Sequence, residues 1–212
     1  WTGDGRGTER GLHPWRFMLY AHDVVGFRLP DWLVFGRQGL PGAYAGRFRN
    51  DKEPLFWLQK PGADGFFDRW ALAGQSATDY SQTTAHQRNN DGSLRLRSAS
   101  GRAADEGIKH RGTLWGYEKV ESAQIGATDL VQAGHPARWP YKLARDIVVC
   151  FSAPGALVCD PFLGAGTTMI AALEEGRRFI GGDLGARQTD GRPWVDVAAD
   201  LWAARQRQGR LF

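Results

Sequence analysis

Residues 158–168 read VCDPFLGAGTT and run straight into MIAALEEGRRFIGGDL. The residue types here could work together on a ligand. Gly164 and Gly166 let a backbone approach a bound group closely. An amphipathic run opens at Thr167, and a helix starting there would offer unpaired N–H groups. The hydroxyls of Thr167 and Thr168 lie beside them. Asp160 stands at the entry to the turn, and Asp183 follows the next apolar run, where a carboxylate can accept both hydroxyls of a ribose.

Two phosphate motifs compete for this stretch. A P-loop needs GxxxxGK[ST], and no Lys follows the turn; the dinucleotide fingerprint needs GxGxxG, and Met169 occupies the third glycine position. Asp160 separates the remaining choices, because a carboxylate beside the turn repels a pyrophosphate and attracts an ammonium or sulfonium. The expected ligand is a nucleoside bearing positive charge. S-adenosylmethionine fits, with Asp160 toward its amino end, the turn with Thr167 and Thr168 at its carboxylate, and Asp183 on its ribose. A plain strand-to-helix connection is the bland alternative.

The elements that would position these residues are a strand over 156–159, a helix TTMIAALEEG stopped by Gly176, a second strand RRFIGGD and a closing helix WVDVAADLWAARQRQ. This order is a βαβ unit with a parallel pair. Ahead of it, PYKLARDIVVCF predicts a helix from Pro140 with Leu143, Ala144, Ile147 and Val148 on its apolar stripe. Near the N-terminus, WRFMLYAHDVV predicts a helix with Phe17, Met18, Ala21, Val24 and Val25 on one face, capped by Gly26. FRLPDWLVFG and EPLFWLQK predict strands. Residues 61–112 hold no helical or strand period for long. Within them Arg88, Arg95, Arg97, Arg102, Lys109 and Arg111 face only Asp91, Asp105 and Glu106 between Thr84 and Arg111. Two readings stand for that segment, a solvated insertion or an arm that meets phosphates.

The 212 residues suffice for one domain with a core, or one domain and a small appendage. A net charge of +4 permits a polyanionic partner. No apolar stretch is long enough to span a bilayer, the start does not read as a signal peptide, and cytoplasm is the expected compartment. Cys150 and Cys159 lie in apolar segments without metal spacing, so buried thiols are expected rather than a disulfide or zinc site. His13, His22, His86 and His110 have no partner at ligand spacing. Trp115 and Tyr117 are candidates for base stacking.

DPFLGAGTT followed by EGRRFIGGDL resembles the cofactor motif of the amino DNA methyltransferases, which modify adenine N6 or cytosine N4. Three more segments resemble the family in order. GHPARWPYKLARDIV (134–148) is similar to the segment preceding the cofactor strand in the group whose cofactor motif is C-terminal. WVDVAADLWAARQ resembles the helix after the ribose-binding strand, although GARQTDGRP (185–193) is longer than usual there. GRFRNDKEPLFWLQK resembles the strand region downstream of the catalytic loop.

The resemblance implies an α/β, Rossmann-like S-adenosylmethionine-dependent methyltransferase fold: a mostly parallel sheet with helices on both faces, plus an irregular inserted region. It implies a substrate-side part in 12–60, a target-recognition insertion in 61–112 and a cofactor-binding part in 113–212. The implied cofactor contacts are His135, Asp160, Pro161, Phe162, Gly164, Gly166, Thr167, Thr168 and Asp183. The implied partner is double-stranded DNA, met through Arg47, Arg49, Arg88, Arg95, Arg97, Arg102, Lys109 and Arg111; for Arg47 and Arg49, ordinary surface charge is the other reading.

One departure matters. The family's catalytic loop is a short Asp/Asn/Ser-Pro-Pro-aromatic sequence that grips the amine of a flipped base. It belongs ahead of the helix at 15–25, and no Pro-Pro dipeptide occurs in these residues. No catalytic residue is therefore nominated. The chain is expected to be a fragment, one subunit of a split enzyme with a second chain or N-terminal segment bringing the loop, or a relative that keeps only binding; the start at Trp1 favours the first two. Two other classes stand beside the enzyme: a non-catalytic DNA- or cofactor-binding subunit, and a nicotinamide-dependent oxidoreductase, against which Asp160 argues.

Overall fold

The computed structural model describes residues 11–36, 51–75, 86–89, 91–96, 108–109, 111–116, 133–135 and 139–209. The chain divides into two compact units, Trp1–Phe67 with Thr113–Phe212, and Asp68–Gly112.

In the larger unit, β8 (Leu157–Asp160), α3 (Thr167–Glu174) and β9 (Arg178–Gly181) form the expected βαβ unit. The strands pair in parallel from Leu157↔Arg178 to Asp160↔Gly181. Gly176, at φ +72°, takes the left-handed conformation that closes α3, and the Arg177 N–H bonds back to the Ala172 carbonyl at 2.8 Å. Before this unit runs α2 (Tyr141–Phe151), with Pro140 at its N-cap, where the missing N–H is no loss. Leu143, Ala144 and Val148 are buried on its expected stripe. After it runs α4 (Trp194–Gly209).

These elements share one core. Ala144 and Val148 of α2, Ile170, Ala171 and Ala172 of α3, and Trp194 and Val197 of α4 pack with Val158 of β8 and Phe179 of β9. Ile170 is fully buried, and a side chain of that size stabilises by about 1.5–3 kcal/mol when withdrawn from water. Polar ties cross the helices: the Tyr141 hydroxyl donates to Glu174, Arg205 pairs with the same carboxylate, and Arg145 reaches Glu175 at 2.5 Å. Burial and the neighbouring Glu174 push the Tyr141 phenol well above its ordinary value.

The N-terminal part builds a second sheet, in the order β2 (Lys52–Gln59), β1 (Arg28–Gly36), β7 (Leu114–Gly116). β1 and β2 are antiparallel, with a register irregularity between Arg28 and Asp31 around Pro30, while β1 and β7 are parallel. Phe35 and Trp115, opposite one another, are both buried. Trp115 is thus a core residue and not a free stacking surface. Tyr117 lies outside the described residues.

Two further sequence expectations are corrected. Helix α1 (His13–Leu19) continues as a single π turn over Tyr20–Val24. Of its anticipated apolar face only Ala21 is buried, whereas Phe17, Val24 and Val25 are more than half exposed. The docking residue is Trp15, edge-on to Trp32 at 5.5 Å and to Phe56 at 5.3 Å. Gly26 does end the element at φ +86°. The second correction concerns Cys159, which is exposed while Cys150 is buried. Alternation along β8 turns Val158 into the core and Leu157 and Cys159 to the opposite face, which stays open.

In the smaller unit β3 (Gly74–Gln75) pairs antiparallel with β6 (Ile108–Lys109), and β4 (His86–Arg88) with β5 (Leu94–Leu96). The β4–β5 turn is built by Asp91 Oδ1, which accepts from both the Ser93 amide (2.9 Å) and hydroxyl (2.6 Å). Those bonds hold the Asp91 carboxyl below the usual carboxylate range.

Candidate cofactor-binding site

The site grows from the C-terminal ends of β8 and β9. Because the strands are parallel and Asp160 pairs with Gly181, the chain leaves both at the same end, bringing Asp160 and Asp183 together with the glycine turn. Asp160 Oδ1 accepts from the Phe162 N–H at 2.9 Å, a local turn that starts the loop. The Leu163 N–H then bonds to the Gly182 carbonyl at 2.9 Å, stitching the loop to the segment after β9.

Asp183 fastens the turn. Its Oδ2 accepts the Gly164 N–H at 2.8 Å and its Oδ1 the Gly185 N–H at 2.7 Å. Each carboxylate oxygen keeps a further lone pair, so binding hydroxyls does not require breaking these bonds. The expected role of Asp183 carries no hint of this clamp, since nothing in its spacing ties it to the Gly164 amide.

The two glycines do different work. Gly164, at φ +50°, faces His135, and a Cβ there would sit 3.0 Å from its Nε2. The His135 ring stands edge-on to Trp194 with centroids 4.6 Å apart. Gly166, at φ +88°, N-caps α3, and a Cβ there would sit 2.8 Å from the Ala198 Cβ. Its lack of a side chain lets α4 pack against the turn.

A cleft of about 1130 Å³ opens beside the turn. His135, Asp160, Phe162, Gly164, Thr167, Thr168 and Asp183 line it; Pro161 and Gly166 do not. Phe162 projects with 86% of its surface exposed, and Thr167 is buried at the head of α3. The far wall comes from β2 and its continuation, where Trp57, Lys60 and Phe66 face the same space. Trp57 packs on Phe151 of α2 at 5.1 Å and on Phe67 at 4.7 Å, an aromatic wall for which the sequence offered only apolar strand and helix patterns. Asp146, 2% exposed within the α2 stripe, is a second residue the periodicity did not single out.

The cleft therefore has two carboxylates at the glycine turn, His135 over Gly164, and a lysine and aromatic rings on the β2 side. This donor set fits a ribose and a cationic group. Among the described residues no group of His, Cys, Asp and Glu could hold a metal ion, and no helix is long and apolar enough to cross a membrane.

The basic residues are distributed otherwise. Arg88, Arg95 and Lys109 lie on β4, β5 and β6 of the smaller unit, and Arg111 is half-buried beside β6. Arg47, Arg49, Arg97 and Arg102 lie outside the described residues.

Comparison with known proteins gives a consistent picture. A family model described as DNA methylase matches residues 2–190. The orphan methyltransferase M.BamHII of Bacillus amyloliquefaciens is 27% identical over 188 residues, 87% of this chain and 68% of its own length. Among solved structures, the PvuII DNA methyltransferase (cytosine-N4-specific) is similar with a TM-score of 0.58 at 17% identity, covering 91% of this chain and 64% of that one. A structure of M1.HpyAVI in complex with SAM gives a TM-score of 0.51 at 21% identity, over 89% of this chain and 70% of that one. The chain thus spans about two thirds of the length of these proteins. The α/β, Rossmann-like fold that the glycine turn and its flanking elements imply is the fold of these neighbours, and with the family model spanning most of its residues the chain belongs to the N6/N4 DNA methylase family.

Proposed function

We propose that this chain binds S-adenosylmethionine in the cleft at the glycine turn and forms the cofactor-binding part of an enzyme that methylates an exocyclic amine of a flipped-out DNA base. The observation that carries this reading is the pair of carboxylates, Asp160 and Asp183, lining one cleft at the glycine turn that Asp183 holds through the Gly164 N–H. A pyrophosphate would be repelled there, and a cationic nucleoside is attracted.

Asp183 would accept from the ribose hydroxyls on its free lone pairs while holding the turn through Gly164. Asp160 would face the ammonium of the methionine moiety. The head of α3, with Thr167 and Thr168, would take the carboxylate by N–H and hydroxyl donation. His135, seated over Gly164, bounds the pocket and restricts the position of whatever lies there. When bound, the cofactor would supply an electrophilic methyl group for transfer to the amine nitrogen. The residues of this chain orient the donor; gripping the amine falls to a Pro-Pro-aromatic loop, which these residues lack. Which base is methylated follows from that loop and its surroundings.

M1.HpyAVI, a structural neighbour solved with SAM, supports the choice of cofactor. The basic strands of Asp68–Gly112, with Arg88, Arg95 and Lys109, support duplex DNA as the partner, as do Arg97, Arg102 and Arg111 nearby in sequence and Arg47 and Arg49 ahead of β2.

Photo-crosslinking with tritium-labelled S-adenosylmethionine tests this reading. Label should enter the chain, be displaced by excess S-adenosylhomocysteine, and resist excess NAD. Label displaced equally by NAD, or absent, contradicts it.

A further inference from the structure

Residues 185–193 fold into a small hairpin between Asp183 and the head of α4. Ala186 bridges Pro193 antiparallel, and the Arg187 N–H bonds to the Arg192 carbonyl at 2.8 Å. At the closed end Gly191, at φ +71°, takes a left-handed turn, and its N–H returns to the Arg187 carbonyl at 2.8 Å. Asp190 staples the two sides together. Its carboxylate accepts from the Arg187 guanidinium, with Nε 2.9 Å from Oδ1, and from the Arg192 N–H at 3.2 Å. The Arg187 hydrogen bond holds the Asp190 carboxyl down at about 2, so the staple stays charged at neutral pH. The hairpin is tied to the site and to α4. The Trp194 N–H bonds to the Gly185 carbonyl at 3.1 Å, and the Gly185 N–H in turn bonds to Asp183 Oδ1 at 2.7 Å. Arg192 Nη2 donates to Asp200 of α4 at 2.7 Å. Gly185 itself fills a tight space, for a Cβ there would lie 3.0 Å from Asp183 Oδ1 and 3.3 Å from the Trp194 ring.

Every residue from Leu184 to Pro193 is exposed except Arg187, so the hairpin adds no apolar side chain to the core. Exposed ion pairs of this kind contribute little to global stability. They can still fix one group in place, and the bonds of this hairpin end on a carboxylate of the cleft. We propose that Arg187 and Asp190 are positioning residues, which close the hairpin, hold the Gly185 N–H on Asp183 and so orient that carboxylate toward ribose hydroxyls. Gripped through Oδ1 by Gly185 and through Oδ2 by Gly164, the carboxylate has one plane, and its remaining lone pairs have fixed directions. With the hairpin open, Oδ1 loses its donor and the group can turn about the bond that Oδ2 makes to the Gly164 N–H. A ligand must then order the carboxylate as it binds, which weakens the hydroxyl bonds more than any other contact. The part played by the ribose rests on the cofactor reading; the grip on Asp183 does not.

Asp190→Ala and Arg187→Ala remove the staple from its two sides and should behave alike. Both should melt within about 2 °C of the unaltered chain, because the hairpin lies outside the core. Both should speed hydrogen exchange at the Gly185 and Gly164 amides about tenfold while leaving the amides of α3 unchanged. S-adenosylhomocysteine and its 2′,3′-dideoxy analogue are then titrated into all three chains. The unaltered chain should prefer the parent molecule by about tenfold or more, the size of hydrogen bonds to a charged acceptor. The variants should lose most of that preference, binding the analogue as before and the parent more weakly. Equal weakening of both molecules, or a large drop in melting temperature, overturns the proposal, since the hairpin would then be general support. So does an unchanged preference, or unaltered exchange at Gly185. Faster exchange in the variants with no binding of either molecule by any chain sinks the cofactor reading and leaves the grip on Asp183 standing.

Discussion

At the scale of single residues, Asp160 and Asp183 separate into different jobs despite sharing a cleft. Asp183 clamps two loop amides, and an amide nitrogen in place of one oxygen cannot accept an N–H. Asp183→Asn should therefore weaken S-adenosylmethionine binding by about ten- to a hundredfold, the size of a lost charge-assisted hydrogen bond. Calorimetry checks this. Asp160→Asn keeps an oxygen to accept the Phe162 N–H, so thermal stability should hold. Its binding should fall by about tenfold, as expected for losing one partly screened charge pair. Unchanged affinity in Asp160→Asn would remove the electrostatic basis for choosing a cationic ligand. Gly166 answers to packing. Gly166→Ala places a Cβ 2.8 Å from that of Ala198 at φ +88°, and should cost about 1–3 kcal/mol in a denaturant melt. Adding Ala198→Gly should recover only part of this, because the backbone strain remains.

At the scale of elements, α2 and α3 are joined by a protonated phenol. The raised Tyr141 titration means that the folded state holds this proton more tightly than the unfolded chain does. Its contribution to stability is fully present below the unfolded tyrosine value of about 10 and declines as pH rises beyond it toward the folded value. Tyr141→Phe should lower stability by about 1 kcal/mol at neutral pH and flatten the alkaline decline, as read from unfolding curves at increasing pH. The elements around this tie were the legible ones. Pro140, Gly176 and the 3.6-residue stripe of Leu143, Ala144 and Val148 mark their boundaries and faces by local rules. Helix α1 was misread because periodicity reports only that a helix is amphipathic, whereas the contact that docks it, Trp15 on Trp32 and Phe56, joins segments distant in sequence. Cys159 was misread for a related reason. A short apolar run fits a strand buried on both faces, and only the packing reveals that one face of β8 is bare. The β4–β5 turn over Asp91, Gly92 and Ser93 carried an Asp-Gly signal, but three-residue strands are too short for alternation to stand out.

At the scale of the whole molecule, the cofactor turn and the basic segment fall in separate compact units, Asp68–Gly112 holding most of the candidate phosphate contacts. Duplex binding should weaken steeply with salt, with a log–log slope near 0.9 per phosphate neutralised. Replacing Arg88, Arg95 and Lys109 together by alanine should reduce that slope by about three, in fluorescence-anisotropy titrations, while leaving S-adenosylmethionine binding intact. The place of the turn was legible because it is local: Asp160 and the glycines fall between a strand and a helix that mark themselves in the sequence. The aromatic wall of Trp57 and Phe151 was not, since it joins a strand and a helix distant in sequence. The central claim is that this cleft holds a cationic nucleoside, and isothermal titration of the chain with S-adenosylmethionine, S-adenosylhomocysteine and NAD tests it most directly. The first two should bind saturably and one-to-one, and NAD should give no heat. Binding of NAD, or no binding of S-adenosylmethionine and its demethylated product at millimolar concentration, would contradict it.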